Sequence, residues 1–161
     1  TGTQRKSLEP GARSIMARAL LGECSQCAPV ELQAIAGVIF NRWDSGCYGP
    51  ELLDVLFYNR KGTWAFTAFD PRRANGEWVW SDASGPRSRL RARVRALEAI
   101  DATWQAWTVP RHNFNHYWHP ASMIKIGETP HWAKNRPVTS IGAGRFVHIP
   151  CKSIVKPKDG R

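Results

Sequence analysis

The chain has 161 residues, 42% of them apolar and 22% charged. That balance excludes a disordered chain and gives enough length for one ordinary domain with a real core. No apolar run is long enough to cross a bilayer. A net charge of +10, from 23 Lys and Arg against 13 Asp and Glu, attracts polyanions: nucleic acid, acidic lipid or an anionic cell envelope.

In chain order, the opening "TGTQRKSLEPG" holds neither an initiator Met nor an apolar signal segment, and reads as the start of a trimmed or processed form. Residues 1–9 form an arm, and a first helix is expected from Pro10, a residue suited to the first turn, to Leu21. Met16, Ala19, Leu20 and Glu23 fall at i, i+3, i+4 and i+7, so a carboxylate continues an otherwise apolar face. After the break "CSQCAP", Leu32, Ile35, Ala36, Ile39, Phe40 and Trp43 keep helical spacing through "VELQAIAGVIFNRW". "DSGCYGP" stops that helix, and "ELLDVLFY" is a short third one.

Residues 59–85 mix Gly, Asn, Pro and aromatics without sustained period and read as a long structured loop, a feature often functional. "SGPRSRLRARVRALEAIDATWQAW" is expected to be a long helix, with Leu90, Val94, Leu97, Ile100, Trp104 and Trp107 on its apolar side. Arg87 to Arg95 give it a solvated basic face. Beyond Pro110 the chain is dense in His and aromatics, a β-like run covers Arg145 to Ile149, and residues 152–161 form a basic tail. No repeat or linker interrupts it. The expectation is a mainly α domain, α+β through one small β element, occupying residues 1–161 as a single unit with long aromatic-rich loops.

Cys24, Cys27, Cys47 and Cys151 fit two disulfides in an oxidising compartment, with three possible pairings, or free buried thiols. A lone Cys-x-x-Cys, without a second one or a βαβ pattern around it, argues against zinc or thioredoxin-type chemistry. His112, His116, His119, His131 and His148 lack a metal-ligand spacing, and no Gly-x-Ser-x-Gly step marks a serine nucleophile. Eight Trp on a basic chain suit carbohydrate or single-stranded nucleic acid, although any single Trp is as well explained by the core. Spacing alone leaves Glu23 with two readings. Held against apolar neighbours it would keep a raised pKa, as a general acid requires. At a frayed helix end it would simply be exposed, and spacing favours that reading.

"ARALLGEC", "ELQAIAGVIFNR", "DVLF", "AFTAF", "NHYWHPAS" and "HWAKNRPVTSIGAGRF" stand in the order and at roughly the spacing found in the SleB-like cell-wall hydrolases, which this chain resembles from about Ala17 to Phe146. The resemblance implies a lysozyme-like fold and makes Glu23 the catalytic acid. It places Glu31, Phe66, Thr67, His116, Tyr117 and Trp118 among the substrate-binding residues. Glu31 is also the best candidate for a second carboxylate, ahead of Asp44, Asp54 and Asp70, although a helix N-terminus favours a Glu there for its own reasons.

The expected partner is the glycan of bacterial peptidoglycan, met in the periplasm or cell envelope by a monomer that needs no cofactor, no metal and no nucleic acid. One acid without an obvious second carboxylate fits a lytic transglycosylase better than a hydrolase: Glu23 protonates the glycosidic oxygen, then takes the proton of the sugar's own C6 hydroxyl. The alternatives are a muramidase using water, or a non-catalytic basic module that binds polyanions. Cys24 stands where the family usually has Ala, and His119 where it has Asn, which marks a divergent member of the kind a bacteriophage lytic enzyme would be.

Overall fold

In the computed structural model of the chain, residues 8–72, 87–106, 112–123 and 125–151 are described. Residues 1–7 of the N-terminal arm, the latter part of the 59–85 loop, Trp107 and the basic tail lie outside the described residues.

Among the described residues, four helices build the main core: α1 (Pro10–Cys24), α2 (Pro29–Ser45), α3 (Leu52–Leu56) and α4 (Arg87–Gln105). Pro10 and Pro29 each open a helix in the first turn, where a missing N–H costs nothing. Helix α2 ends as its sequence demands: Gly46 adopts the left-handed conformation at φ 69° and returns its N–H to the Trp43 carbonyl. Glu51 and Asp54 form a reciprocal cap on the short α3. Met16, Leu20, Leu32, Ile35, Ile39, Phe40, Val55 and Leu56 are almost wholly removed from solvent where α1, α2 and α3 meet.

Two expectations need correction here. Helix α1 runs three residues past Leu21, so Glu23 lies within its last turn. Helix α4 does not bury Leu90 and Val94, which are 40% and 52% exposed; its inward face is Ala92, Ala96, Ala99 and Ile100. Those residues repeat at i, i+4, i+7 and i+8, and their small side chains let α4 lie close across α1 and α2. The Arg13 guanidinium, bidentate on Asp101 at 2.7 and 2.5 Å, ties α1 to α4 at the surface.

The small β component is larger than the sequence indicates. Within the segment read as a loop, β1 (Asn59–Arg60) and β2 (Thr63–Trp64) form a hairpin, followed by a 3₁₀ turn at Thr67–Phe69. A second sheet orders β3 (His116–Trp118), β5 (Gly144–Val147) and β4 (Val138–Ile141) side by side, all antiparallel, with β5 central. Tyr117 pairs with Phe146 in register, and the two rings stack with centroids 5.7 Å apart. Disulfides join Cys24 to Cys27 and Cys47 to Cys151, which selects one of the three pairings.

Candidate active site

The site is assembled by three close approaches between elements distant in sequence. The first sets α1 against the 3₁₀ turn. A Cβ on Gly22 would lie 2.4 Å from the Ala68 Cβ and 3.1 Å from its Cα, so only glycine allows this distance. The approach brings the backbone N–H of Thr67 to the Glu23 carboxyl, to which it donates a hydrogen bond.

The second approach stitches α2 to the strand that carries Tyr117. Asn41 Nδ2 donates to the carbonyls of His112 at 3.0 Å and Phe114 at 2.9 Å, and Arg42 Nε donates to the Asn115 carbonyl at 2.7 Å. Asn115 is itself buried; its side chain exchanges two 2.8 Å hydrogen bonds with the backbone of Ile149. Among the described residues, no buried side-chain N or O atom of this seam lacks a hydrogen-bond partner, which is the condition for burying it. Strand β3 is thereby fixed so that the Tyr117 hydroxyl donates to Glu23.

The third approach involves Glu31, which is only 3% exposed. Its Oε1 meets His119 Nε2 at 2.6 Å, across 88 residues of sequence. Its carboxyl also lies so close under the β4–β5 turn that a Cβ on Gly142 or Gly144 would come within 2.7 or 2.8 Å of a Glu31 oxygen. Glu31 thus anchors the turn from below.

Glu23 is half-buried, with its carboxyl desolvated by the elements around it. Burial pushes its pKa up from the ordinary carboxylate value; the hydrogen bonds from Tyr117 and Thr67 and the charges of Arg42 and His119 oppose that shift without cancelling it. The Tyr117 hydroxyl is held well above the usual tyrosine range, by burial first and then by Glu23, so it remains a donor. Burial, followed by the charges of Arg42, His148 and Arg136, lowers His116 to about 3, which leaves its ring neutral at working pH.

Tyr117 and His116 open onto a cleft of about 920 Å³ that also takes in Arg42, Tyr48 and the β1–β2 hairpin. Tyr58, Trp64 and Trp132 add aromatic faces to it. The Arg42 guanidinium lies 5.0 Å from the Tyr48 ring centre and 5.7 Å from that of Phe66. Tyr48 is 7% exposed, and its hydroxyl is buried without a hydrogen-bond partner.

The residues singled out from sequence therefore divide. Glu23, Thr67 through its backbone, and Tyr117 are brought together, and His116 joins them on the cleft. Phe66 is fully buried behind the cleft, where it supports Arg42. Trp118, 9% exposed, packs into a separate cluster with Ala133, Val147 and Ile149. Glu31 sits beneath the β4–β5 turn.

Sequence reasoning missed Arg60, Lys61, Trp64, Trp132 and Arg136, which line the cleft from two distant segments. The one local signal was the Lys61-Gly62 pair, a hairpin-turn dipeptide whose φ values are 53° and 81°. Two of the other candidate carboxylates have structural partners. Asp70 holds Arg72 at 3.0 Å, and Asp54 caps the Glu51 N–H at 2.9 Å. The sulfurs of Cys24 and Cys27 and a His119 ring nitrogen lie within 4.8 Å of one another. The two sulfurs are bonded to each other, however, and a disulfide supplies no thiolate to a metal.

No protein-family model and no curated protein sequence matches the chain. Among solved structures, it is similar to the catalytic domain of the germination-specific lytic transglycosylase SleB from Bacillus anthracis. Identity is 25% and the TM-score 0.60, over 89% of this chain and 99% of that one.

Proposed function

We propose that this chain, SleB-like in its fold, is a peptidoglycan-cleaving glycosidase of the lytic transglycosylase type, with Glu23 as its acid and then its base. The observation that carries the reading is the setting of Glu23. It is a desolvated carboxyl held by the Thr67 backbone N–H and by the hydroxyl of Tyr117, which itself lines the aromatic cleft.

The raised pKa keeps a proton on Glu23 for delivery to the glycosidic oxygen between muramic acid and glucosamine. Once the bond breaks, the resulting carboxylate is stabilised by the Tyr117 hydroxyl, the Thr67 N–H and the nearby charges of Arg42 and His119. It can then accept the proton of the C6 hydroxyl as that oxygen closes a 1,6-anhydro ring on the muramic residue. Atoms balance without water. Glu31, the best candidate for a second carboxylate, is buried and engaged by His119 at 2.6 Å beneath the β4–β5 turn, which favours ring closure over hydrolysis. Trp64 and Trp132 offer flat apolar surfaces on which sugar rings can stack. A peptidoglycan-degrading domain of this kind would work in the bacterial envelope, as the lytic enzyme of a bacteriophage does.

The decisive experiment is digestion of purified sacculi by the wild type and by Glu23→Gln. The wild type should release muropeptides lighter by one water than ordinary reducing ends. The variant should lose about 10²- to 10⁴-fold in rate, the usual contribution of a general acid, while still sedimenting with the sacculi. Reducing ends alone would refute the anhydro route. A wild type that binds sacculi and never clears them would leave only a cationic binding module.

A further inference from the structure

Cys24 and His119 both depart from the SleB-like pattern, and the fold brings them together. A ring nitrogen of His119 and the sulfurs of Cys24 and Cys27 lie within 4.8 Å of one another. Cys24 ends α1 and Cys27 stands just before the Pro29 that opens α2, whereas His119 follows β3. The bridge between the two cysteines closes a separation of only 3 residues, so it removes little freedom from the unfolded chain. The longer Cys47–Cys151 bridge already does that work. Stapling is thus a weak reason for a cysteine pair here, and no reason for the histidine beside it.

Before oxidation the same cluster has different chemistry. Chains are synthesised in a reducing cytosol, so both cysteines begin as thiols. They then offer two thiolates beside an imidazole, a donor set that suits zinc. A tetrahedral zinc ion holds sulfur at about 2.3 Å and nitrogen at about 2.0 Å, which sets its ligand atoms about 3.5–3.8 Å apart. The three atoms reach that spacing by movements of about 1–2 Å, within the range of side-chain rotation.

The backbone around the cluster has supports other than the sulfur bond. Arg95 Nη2 donates to the Ser25 carbonyl at 3.1 Å, and the Ala28 carbonyl accepts from the N–H groups of Glu31 and Leu32 at 3.0 and 3.1 Å. His119 is held by the buried Glu31, whose Oε1 stands 2.6 Å from Nε2, and the ring nitrogen that Glu31 does not engage is left for a metal. A carboxylate behind a histidine is the usual support of a zinc ligand, because it fixes the tautomer and makes the free nitrogen more basic. Cys24 and His119 are only half-buried, which gives an ion a way in.

We infer that Cys24, Cys27 and His119 form a zinc site in the dithiol form of the protein, with Glu31 orienting the histidine and the fourth position open to water. Binding displaces the two thiol protons. Oxidation reverses it: a protein or small-molecule disulfide takes the two electrons and two protons and becomes a dithiol, the two sulfurs join, and the ion leaves. The same three side chains therefore give a metal-bound state and a bridged state. This property is independent of the proposed glycosidase activity.

The test is cobalt titration of the full chain after reduction by a phosphine, with zinc then added in competition. Reduced wild type should bind one Co²⁺ per chain, with a thiolate-to-metal charge-transfer band and the visible bands of a tetrahedral site. Zinc should displace the cobalt and raise the melting temperature, as a ligand of the native state does. The oxidised chain should show neither effect. Cys24→Ala with Cys27→Ala, which keeps the thiols of Cys47 and Cys151, should lose both. Glu31→Gln should bind about 10- to 100-fold more weakly, the usual effect of removing a group that orients a metal-bound histidine. His119→Asn should bind more weakly still. A reduced chain that no longer melts cooperatively should recover its near-ultraviolet circular dichroism with zinc. Cobalt bands that persist without Cys24 and Cys27 would move the metal to the other cysteines and overturn the inference. Affinity unchanged in His119→Asn would do the same, as would a melting temperature lowered by zinc or a dichroism signal that zinc fails to restore, since the metal would then be held by the unfolded chain.

Discussion

Glu23 is held where its charged form is disfavoured, which costs stability once it ionises and suits the acid role proposed for it. Its folded-state pKa is raised, mainly by burial, so between the usual carboxylate value of 4.5 and that raised value the native state keeps a proton the unfolded chain has lost. Native stability must therefore fall as pH rises through this window. Glu23→Gln preserves the shape and still accepts hydrogen bonds from Tyr117 and Thr67, without a charge to desolvate. The variant should melt higher than the wild type at pH 7.5, and its advantage should vanish below pH 4.5, where both are neutral at this position. Thermal melts at the two pH values check this; an advantage equal at both would mean the carboxyl is not desolvated. Tyr48 makes a similar point with a neutral group. Its ring packs edge-on to Tyr58 with centroids 4.9 Å apart and under Arg42, contacts a Phe would keep, while its hydroxyl is buried unpaired. Tyr48→Phe should raise stability by about 1 kcal/mol, the lower end of the cost of an orphaned polar group, as read by urea denaturation.

At the scale of elements, the site depends on how closely α1 approaches the 3₁₀ turn at Thr67–Phe69. Gly22→Ala would place a methyl 2.4 Å from the Ala68 Cβ and 3.1 Å from its backbone, so the turn must retreat. The expected cost is about 1–3 kcal/mol of stability, as for overpacking elsewhere. Activity should fall further than stability explains, because the retreat carries the Thr67 N–H away from Glu23. The paired variant Gly22→Ala with Ala68→Gly relieves the contact between the two β-carbons and should recover much of both; no recovery would show that the spacing is not what matters.

The parts of this arrangement legible in sequence are those with a local cause. The apolar spacing of α2, the stop at Gly46 and the Gly22-Glu23 step could all be read directly, the last through family resemblance. Helix α4 misled because its bulkier apolar residues, Leu90 and Val94, face outward. Close helix packing selected the alanine face instead, a preference that hydrophobicity alone does not encode. Strands β3, β4 and β5, of three or four residues each, are too short to show a period. The Asn41 and Arg42 contacts to residues 112–115 and the Glu31–His119 bond close over 71 to 88 positions, with nothing in either segment to announce the other.

For the whole molecule, the long connection from the helical half back to the sheet is closed covalently. Cys47, just after α2, is joined to Cys151, just after β5, across a sequence separation of 104, whereas Cys24–Cys27 spans only 3. On a chain-entropy argument, cross-linking a loop of the longer size removes about 5 kcal/mol of unfolded-state freedom, and the shorter loop about 1.5 kcal/mol. The two bridges should therefore separate cleanly on replacement by serine. Cys47→Ser with Cys151→Ser should lower unfolding free energy by several kcal/mol, a large part of a typical domain's margin. It should also loosen the Ile149–Asn115 bonds that hold β3 in place, because residue 151 follows them directly. Cys24→Ser with Cys27→Ser should cost far less stability yet act beside Glu23 and His119, so its effect should appear in rate more than in melting temperature. Denaturant titration and sacculus clearance on both double variants measure the two quantities. Equal stability losses would show that loop closure is not how the longer bridge acts, and a clearance defect confined to the Cys47 pair would place the catalytic sensitivity in the sheet rather than at the end of α1.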